Sequence, residues 1–155
     1  MMVDGYERGD DRVRKSIFDA YIRNTPRINN WDLVDVSAAR IVGPHVEKRR
    51  RSLLRRLARS KSLWERRIAI IATQHFIRAG ELSDTFAIAE MLLDDDHDLI
   101  HKATGWTLRE AGKRDRPALT AFLEKHAATM PRTMLRYAIE HFPAPLRRRF
   151  MERSA

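Results

Sequence analysis

The chain contains no cysteine, which excludes disulfides and thiolate chemistry and fits a cytosolic protein. It has no apolar run near the roughly 18 residues that cross a bilayer. Its opening residues, Met1 to Asp11, are charged and lack the apolar core of a secretory signal. Strand-like alternation of polar and apolar residues is missing. No Gly-rich phosphate loop and no Ser-His-Asp pattern can be read, and nothing points to a cofactor, a membrane span or an obligate protein partner. Acidic residues are in short supply: 21 Asp and Glu face 30 Lys and Arg, a balance of +9. Such a surface seeks a polyanion, DNA or RNA first and an anionic membrane surface second.

What remains is a chain of 155 residues, 43% apolar, enough for one domain with a real core. Residues 1–10 read as disordered, and 11–153 read as one helical domain. Val13, Ile17, Ala20 and Tyr21 recur at helical spacing over Asp11 to Arg23. A second helix follows Asn30 and should stop before Gly43-Pro44, a breaker pair. A short basic helix over Lys48 to Arg59 has only Leu53, Leu54 and Leu57 to bury. Ser62 to Ile77 is bounded by a capping box, Ser62 with Glu65, and by Gly80. Further helices are expected from Ser83, over His97 to Ala111, Arg116 to Ala127, Arg132 to Phe142 and Leu146 to Arg153. Antiparallel pairs of roughly 35–45 residues suggest an all-α, HEAT-like solenoid. No clean sequence period supports it, and a compact bundle is the rival.

Three groups of residues could carry chemistry. In the helix after Asn30, Trp31 and Asp35 stand four apart and share a face. Leu33 and Val36 should turn toward a core, with Val34 a further candidate for it. An indole beside a fixed anion suits a site that handles a cation; the plainer reading is a buried Trp with Asp35 solvated or paired to an arginine. Farther on, Lys102, Trp106, Arg109 and Lys113 form one stripe, opposite Ile100, Ala103, Thr107, Leu108 and Ala111. An indole among cations is a phosphate-and-sugar surface, or else the outer side of an amphipathic helix. Arg67 and Arg136 lie off the apolar faces of their helices and could clamp phosphate or pair with a surface acid. Trp64 reads as structural. His97 and His101 have the i, i+4 spacing of a zinc helix, but Asp98 replaces the glutamate that such a site uses and no third ligand is evident, so capping or surface roles are favoured.

Together the segments Asn29 to Asp35, Ser62 to Ala69, His97 to Ala103 with Gly105-Trp106 and Leu108 to Glu110, and Met130 to Ala138 resemble the DNA alkylation repair family of HEAT-like-repeat alkylpurine DNA glycosylases. The resemblance runs from about Ile22 to Phe142. It implies an arc of antiparallel helices whose concave basic face holds duplex DNA, and hydrolysis of the N-glycosidic bond of cationic N3-methyladenine- and N7-methylguanine-type purines. By resemblance Asp35 is the catalytic carboxylate, Trp31 and Trp106 flank the lesion's backbone and deoxyribose, and Arg67 and Arg109 contact DNA, with Lys102 and Arg136 as further DNA-binding positions. No metal or cofactor is implied, and the base need not be flipped into a pocket. The family's arc begins with several helices before the Trp31 region, of which this chain has almost none. A non-catalytic DNA-binding scaffold is therefore the alternative. Asp35 is expected on an exposed face, where Asp35→Asn would leave folding nearly unchanged.

Overall fold

Every regular element is helical among residues 1–47 and 49–154, which the computed structural model describes. In order they are α1 (Met2–Arg8), α2 (Asp11–Arg23), a 3₁₀ turn (Thr25–Arg27), α3 (Trp31–Ser37), a π-turn (Ala38–Val42), α4 (Gly43–Val46), α5 (Ser52–Ala58), α6 (Leu63–Ala72), α7 (Gln74–Arg78), α8 (Ser83–Met91), α9 (Asp98–Arg114), α10 (Arg116–His126), α11 (Arg132–Ala138) and α12 (Ala144–Arg153). They pack in two rows. In one, α3 lies on α6, α6 on α9 and α9 on α11. In the other, α5 backs α6 and meets α8, while α8 and α10 back α9. Phe86 of α8 stacks on Phe122 of α10 at 5.3 Å, and Glu124 of α10 holds Arg149 and Arg153 of α12.

Side-chain bonds between neighbouring helices recur at a near-constant step. Asp35–Arg67, Arg66–Asp95, Arg51–Asp84, Gln74–Thr107 and Arg109–Glu140 join residues 29 to 33 apart. This step is shorter than the helix-pair length expected from the sequence. The residue types at equivalent positions differ, so the repetition exists in contacts and not in letters.

Local chemistry explains several of the boundaries. Asp10 caps α2 by accepting from the Val13 N–H at 2.9 Å. Ser62 caps α6 through the Glu65 N–H at 3.4 Å. The capping box is only half formed: Glu65 turns to the Ser60 hydroxyl, and the Ser62 N–H donates to Ser60 Oγ at 3.0 Å. Gly80, at φ +81°, takes the left-handed conformation that stops α7. The helix expected over Ser62 to Ile77 is divided at Thr73, whose hydroxyl donates to the Ile70 carbonyl at 2.6 Å.

Several expectations are corrected. Residues 1–10 are not disordered: α1 buries Tyr6, whose hydroxyl hydrogen-bonds with His45 Nδ1 at 3.2 Å, and His45 stacks on Phe18 at 4.0 Å. Gly43-Pro44 does not end the helical path, which continues through the π-turn into α4. Pro44 has no N–H and its ring would crowd the carbonyl four residues earlier; the wider π-turn over that carbonyl relieves both. Gly43 serves packing, because a Cβ there would stand 2.5 Å from His75 Cβ and 2.8 Å from the Ala72 carbonyl. Leu33 and Val36 are 50% and 61% exposed, whereas Val34 alone of the three is in the core. Finally, α5 occupies Ser52–Ala58, burying Leu53, Leu54 and Leu57 as expected; Lys48, placed at its start by the sequence, lies outside the described residues.

The closest approach that positions the site is between α9 and α11, at Gly105. A Cβ there would meet the Met134 carbonyl at 2.5 Å and Tyr137 Cβ at 2.6 Å. Alanine would add up to about 1 kcal/mol of helix propensity, but overpacking against backbone carries about 1–3 kcal/mol. Gly105→Ala is therefore expected to lower stability in urea denaturation; equal or greater stability would mean the two helices part freely.

Candidate functional site

The site begins with the cap of α3. Asn30 Oδ1 accepts from the Leu33 N–H at 3.1 Å, fixing the first turn and placing Trp31 and Asp35 on one side of the helix. The end of the helix is tied to α2. Ser37 Oγ donates to the Leu33 carbonyl, so the 2.8 Å bond from Tyr21 Oη to Ser37 Oγ has the phenol as donor. Burial pushes the Tyr21 phenol up to about 12, opposed by the Ser37 bond and reinforced by the Asp35 charge. Tyr21 therefore remains the donor at neutral pH.

Asp35 is held from α6. Arg67 donates from Nε to Oδ1 at 2.9 Å and from Nη2 to Oδ2 at 3.0 Å, and its Nη1 donates to the Leu99 carbonyl of α9 at 2.5 Å. The Arg67 side chain is 7% exposed and that of Asp35 16%. One guanidinium thus joins three successive helices of one row. A two-point fork fixes the carboxylate plane as well as its position. It also occupies one acceptor direction on each oxygen and leaves the others open, since an ionised carboxylate has about four.

Around this pair lies an open cleft of about 430 Å³ lined by Trp31, Asp35, Arg67, Lys102, Trp106 and Arg109, with Leu99 and Tyr137. Trp31 is 50% exposed, so the plainer reading of a buried indole does not hold, although Asp35 is indeed paired with an arginine. Trp106 is half-buried and packs partly on the core. The cations of its stripe are not bare. Lys102 binds Asp98 at 3.0 Å, a bond that holds its ammonium above the ordinary range, and Arg109 binds Glu140. Arg109 Nε is buried and has no hydrogen-bond partner among the described residues. These pairs differ in kind from Asp35–Arg67. Asp98 and Glu140 have side chains 58% and 56% exposed, and exposed pairs contribute little to stability, so an incoming phosphate can replace either acid. Arg67 is committed inside the protein and has no such freedom.

Not all expected residues meet here. Arg136 is exposed and does not line the cleft; its neighbour Tyr137 does. Lys113 pairs with Glu110 and lies outside it. Tyr137 was not singled out from sequence, yet it follows Trp106 by 31 residues, the step that also joins Arg109 to Glu140. The basic segment around α5 contributes nothing to the cleft, and Arg51 is bound to Glu81 and Asp84 at 2.8 and 2.9 Å and lies over the Phe76 ring. His97 caps α9, its Nδ1 accepting from the Leu99 N–H at 3.1 Å, and His101 Nε2 donates to the Asp95 carbonyl. Trp64 packs partly buried against the core.

The ion pair alters what Asp35→Asn should do to folding. The amide leaves Arg67 buried against a neutral group, and breaking a fully buried pair by removing one partner costs about 3–5 kcal/mol. Asp35 retains some exposure, so a loss of about 1–3 kcal/mol in denaturant titration is expected. A loss within about 0.5 kcal/mol, as for an ordinary surface position, would show that Arg67 does not depend on Asp35.

A family model described as DNA alkylation repair enzyme matches residues 3–142. That span contains α3, α6, α9 and α11 and every residue of the cleft. No curated protein and no solved structure matches the chain.

Proposed function

This chain belongs to the DNA alkylation repair enzyme family, and on that premise we propose that it is an alkylpurine DNA glycosylase acting on duplex DNA. In this reading the two helix rows form a HEAT-like solenoid, and the row α3–α6–α9–α11 is its concave, DNA-facing side. The packing of each helix on the next and the near-constant bonding step support that arrangement. The observation that carries the catalytic reading is the placement of Asp35: an orientated carboxylate in an open cleft with two indoles, its two oxygens each keeping an unused acceptor direction.

The chemistry asks for little more. A purine alkylated at N3 or N7 is a cation and leaves as a neutral base, so no general acid is required. As the C1′–N9 bond breaks, its electron pair goes to the base and positive charge develops on the deoxyribose. Asp35 stabilises that charge and accepts a hydrogen bond from the water that adds to C1′; the water's proton passes to solvent, leaving a 1′-hydroxyl. Trp31, exposed on one wall, and Trp106, half-buried on another, contact the sugar and backbone beside the lesion. Lys102 and Arg109 exchange their exposed acid partners for phosphates. An open cleft suits a base that stays in the stack and leaves from the groove. The excision would be the opening step of base excision repair.

The test is single-turnover release of N7-methylguanine from duplex DNA at saturating protein. Asp35→Asn is expected to lower the rate by about 10²-fold, as when one preorganised electrostatic contact is removed, with DNA binding retained. The comparison is made at a temperature where both proteins are folded. Equal rates would remove Asp35 from catalysis, and no release by the unaltered chain above the spontaneous rate would favour a non-catalytic DNA-binding scaffold.

A further inference from the structure

A larger opening than the cleft lies between α2 and α5. It measures about 830 Å³ and shares no residue with the cleft. Its floor is apolar, formed by Phe18 and Ile22 of α2, Val46 of α4 and Leu53 of α5. Its walls carry six cations, Arg12, Lys15, Arg23, Arg49, Arg50 and Arg56, against two acids, Asp11 and Asp19. Lys15 is taken by Asp19 at 2.6 Å. Among the described residues, Arg12, Arg23, Arg50 and Arg56 form no ion pair and donate no side-chain hydrogen bond. The free arginines thus stand on both walls with aliphatic surface between them.

We infer that this groove docks an acidic amphipathic helix of a partner protein. Charge complementarity sets the sign: free cations on both walls require an anionic occupant. The floor sets the kind. A helix with one apolar stripe and acids on either side matches apolar surface between two cationic walls, the helix-in-groove mode of recognition. Arg12 and Arg23 are eleven residues apart on α2, about 16 Å at 1.5 Å per residue, which is three turns of a docked helix. Nucleic acid fits the walls but not the floor. Phosphates gain nothing from Ile22, Val46 and Leu53, and one face of Phe18, the groove's aromatic ring, is covered by His45 at 4.0 Å with the rings nearly parallel. None of the groove's residues belongs to α3, α6, α9 or α11, the helices that carry the cleft. A second copy of this chain, at +9, is the wrong charge.

The inference is independent of the glycosylase reading, and its test reads peptide binding. A fluorescent four-turn peptide with leucine at heptad a and d positions and glutamate elsewhere is titrated against the full chain. Its control has the same composition with the leucines scattered around the helix. The stripe peptide is expected to bind saturably and the scattered one at least about tenfold more weakly, since the latter keeps charge but loses the floor. Arg50→Glu with Arg56→Glu, both exposed and outside the cleft, is expected to weaken the stripe peptide by about tenfold or more while base release from methylated duplex is unchanged. Equal binding of the two peptides, no saturable binding, an affinity unmoved by the double charge reversal, or displacement of the peptide by unmodified duplex DNA would each overturn the proposal.

Discussion

The cleft depends on one guanidinium. Arg67 reaches from α6 to the carboxylate of Asp35 on α3 and to the carbonyl of Leu99 on α9, so three neighbouring helices of one row meet on a single planar group. Asp35, Arg67 and Leu99 are spaced at equal steps of 32 residues. At that position the first helix supplies an acid, the second a base, and the third a backbone oxygen. A buried charge is tolerated only when paired and hydrogen-bonded, and Arg67 satisfies both conditions by bridging its neighbours. The resemblance gave Arg67 a DNA contact; its burial and its three bonds make its first role the orientation of Asp35.

The rest of the site is arranged around that bridge in two grades of firmness. Asp35 is fixed from below by the Asn30 cap, by Tyr21 through Ser37, and from the side by Arg67. Lys102 and Arg109 are held by acids that water also reaches. A firm anion beside loosely held cations is what a site needs if the anion addresses the sugar and the cations address a backbone whose position varies. Gly105 completes the frame by letting α11 approach α9 until Tyr137 reaches the cleft.

Much of this could be read from residues alone. The i, i+4 placement of Trp31 and Asp35 and the stripe of Lys102, Trp106 and Arg109 follow from helical geometry once the helices are located, and caps and glycines located most of them. The errors fall where tertiary context overrides local signals. Gly43-Pro44 reads as a breaker, but the glycine is there for contact with His75 and the proline is absorbed by a π-turn. Leu33 and Val36 read as core because they are apolar, yet α3 is short and buries Val34 and Ser37 instead. Residues 1–10 read as disordered because they are charged, and one buried tyrosine reverses that. Tyr137 stayed hidden because it is recognised only by a contact step that the letters do not repeat. The pairing of Arg67 with Asp35, rather than with any other acid, was beyond reach for the same reason.

With this geometry Asp35 and Arg67 should act as one unit. A double-mutant cycle on single-turnover release of N7-methylguanine from duplex DNA tests it most directly, using Asp35→Asn, Arg67→Met and both together, each checked for folding by circular dichroism at the assay temperature. If Arg67 acts through Asp35, the double variant is expected to be no slower than Asp35→Asn alone, because the carboxylate it would orient has gone. Losses that multiply, with the double variant slower than either by the product of the two effects, would show that Arg67 works independently of Asp35 and is not its positioning residue.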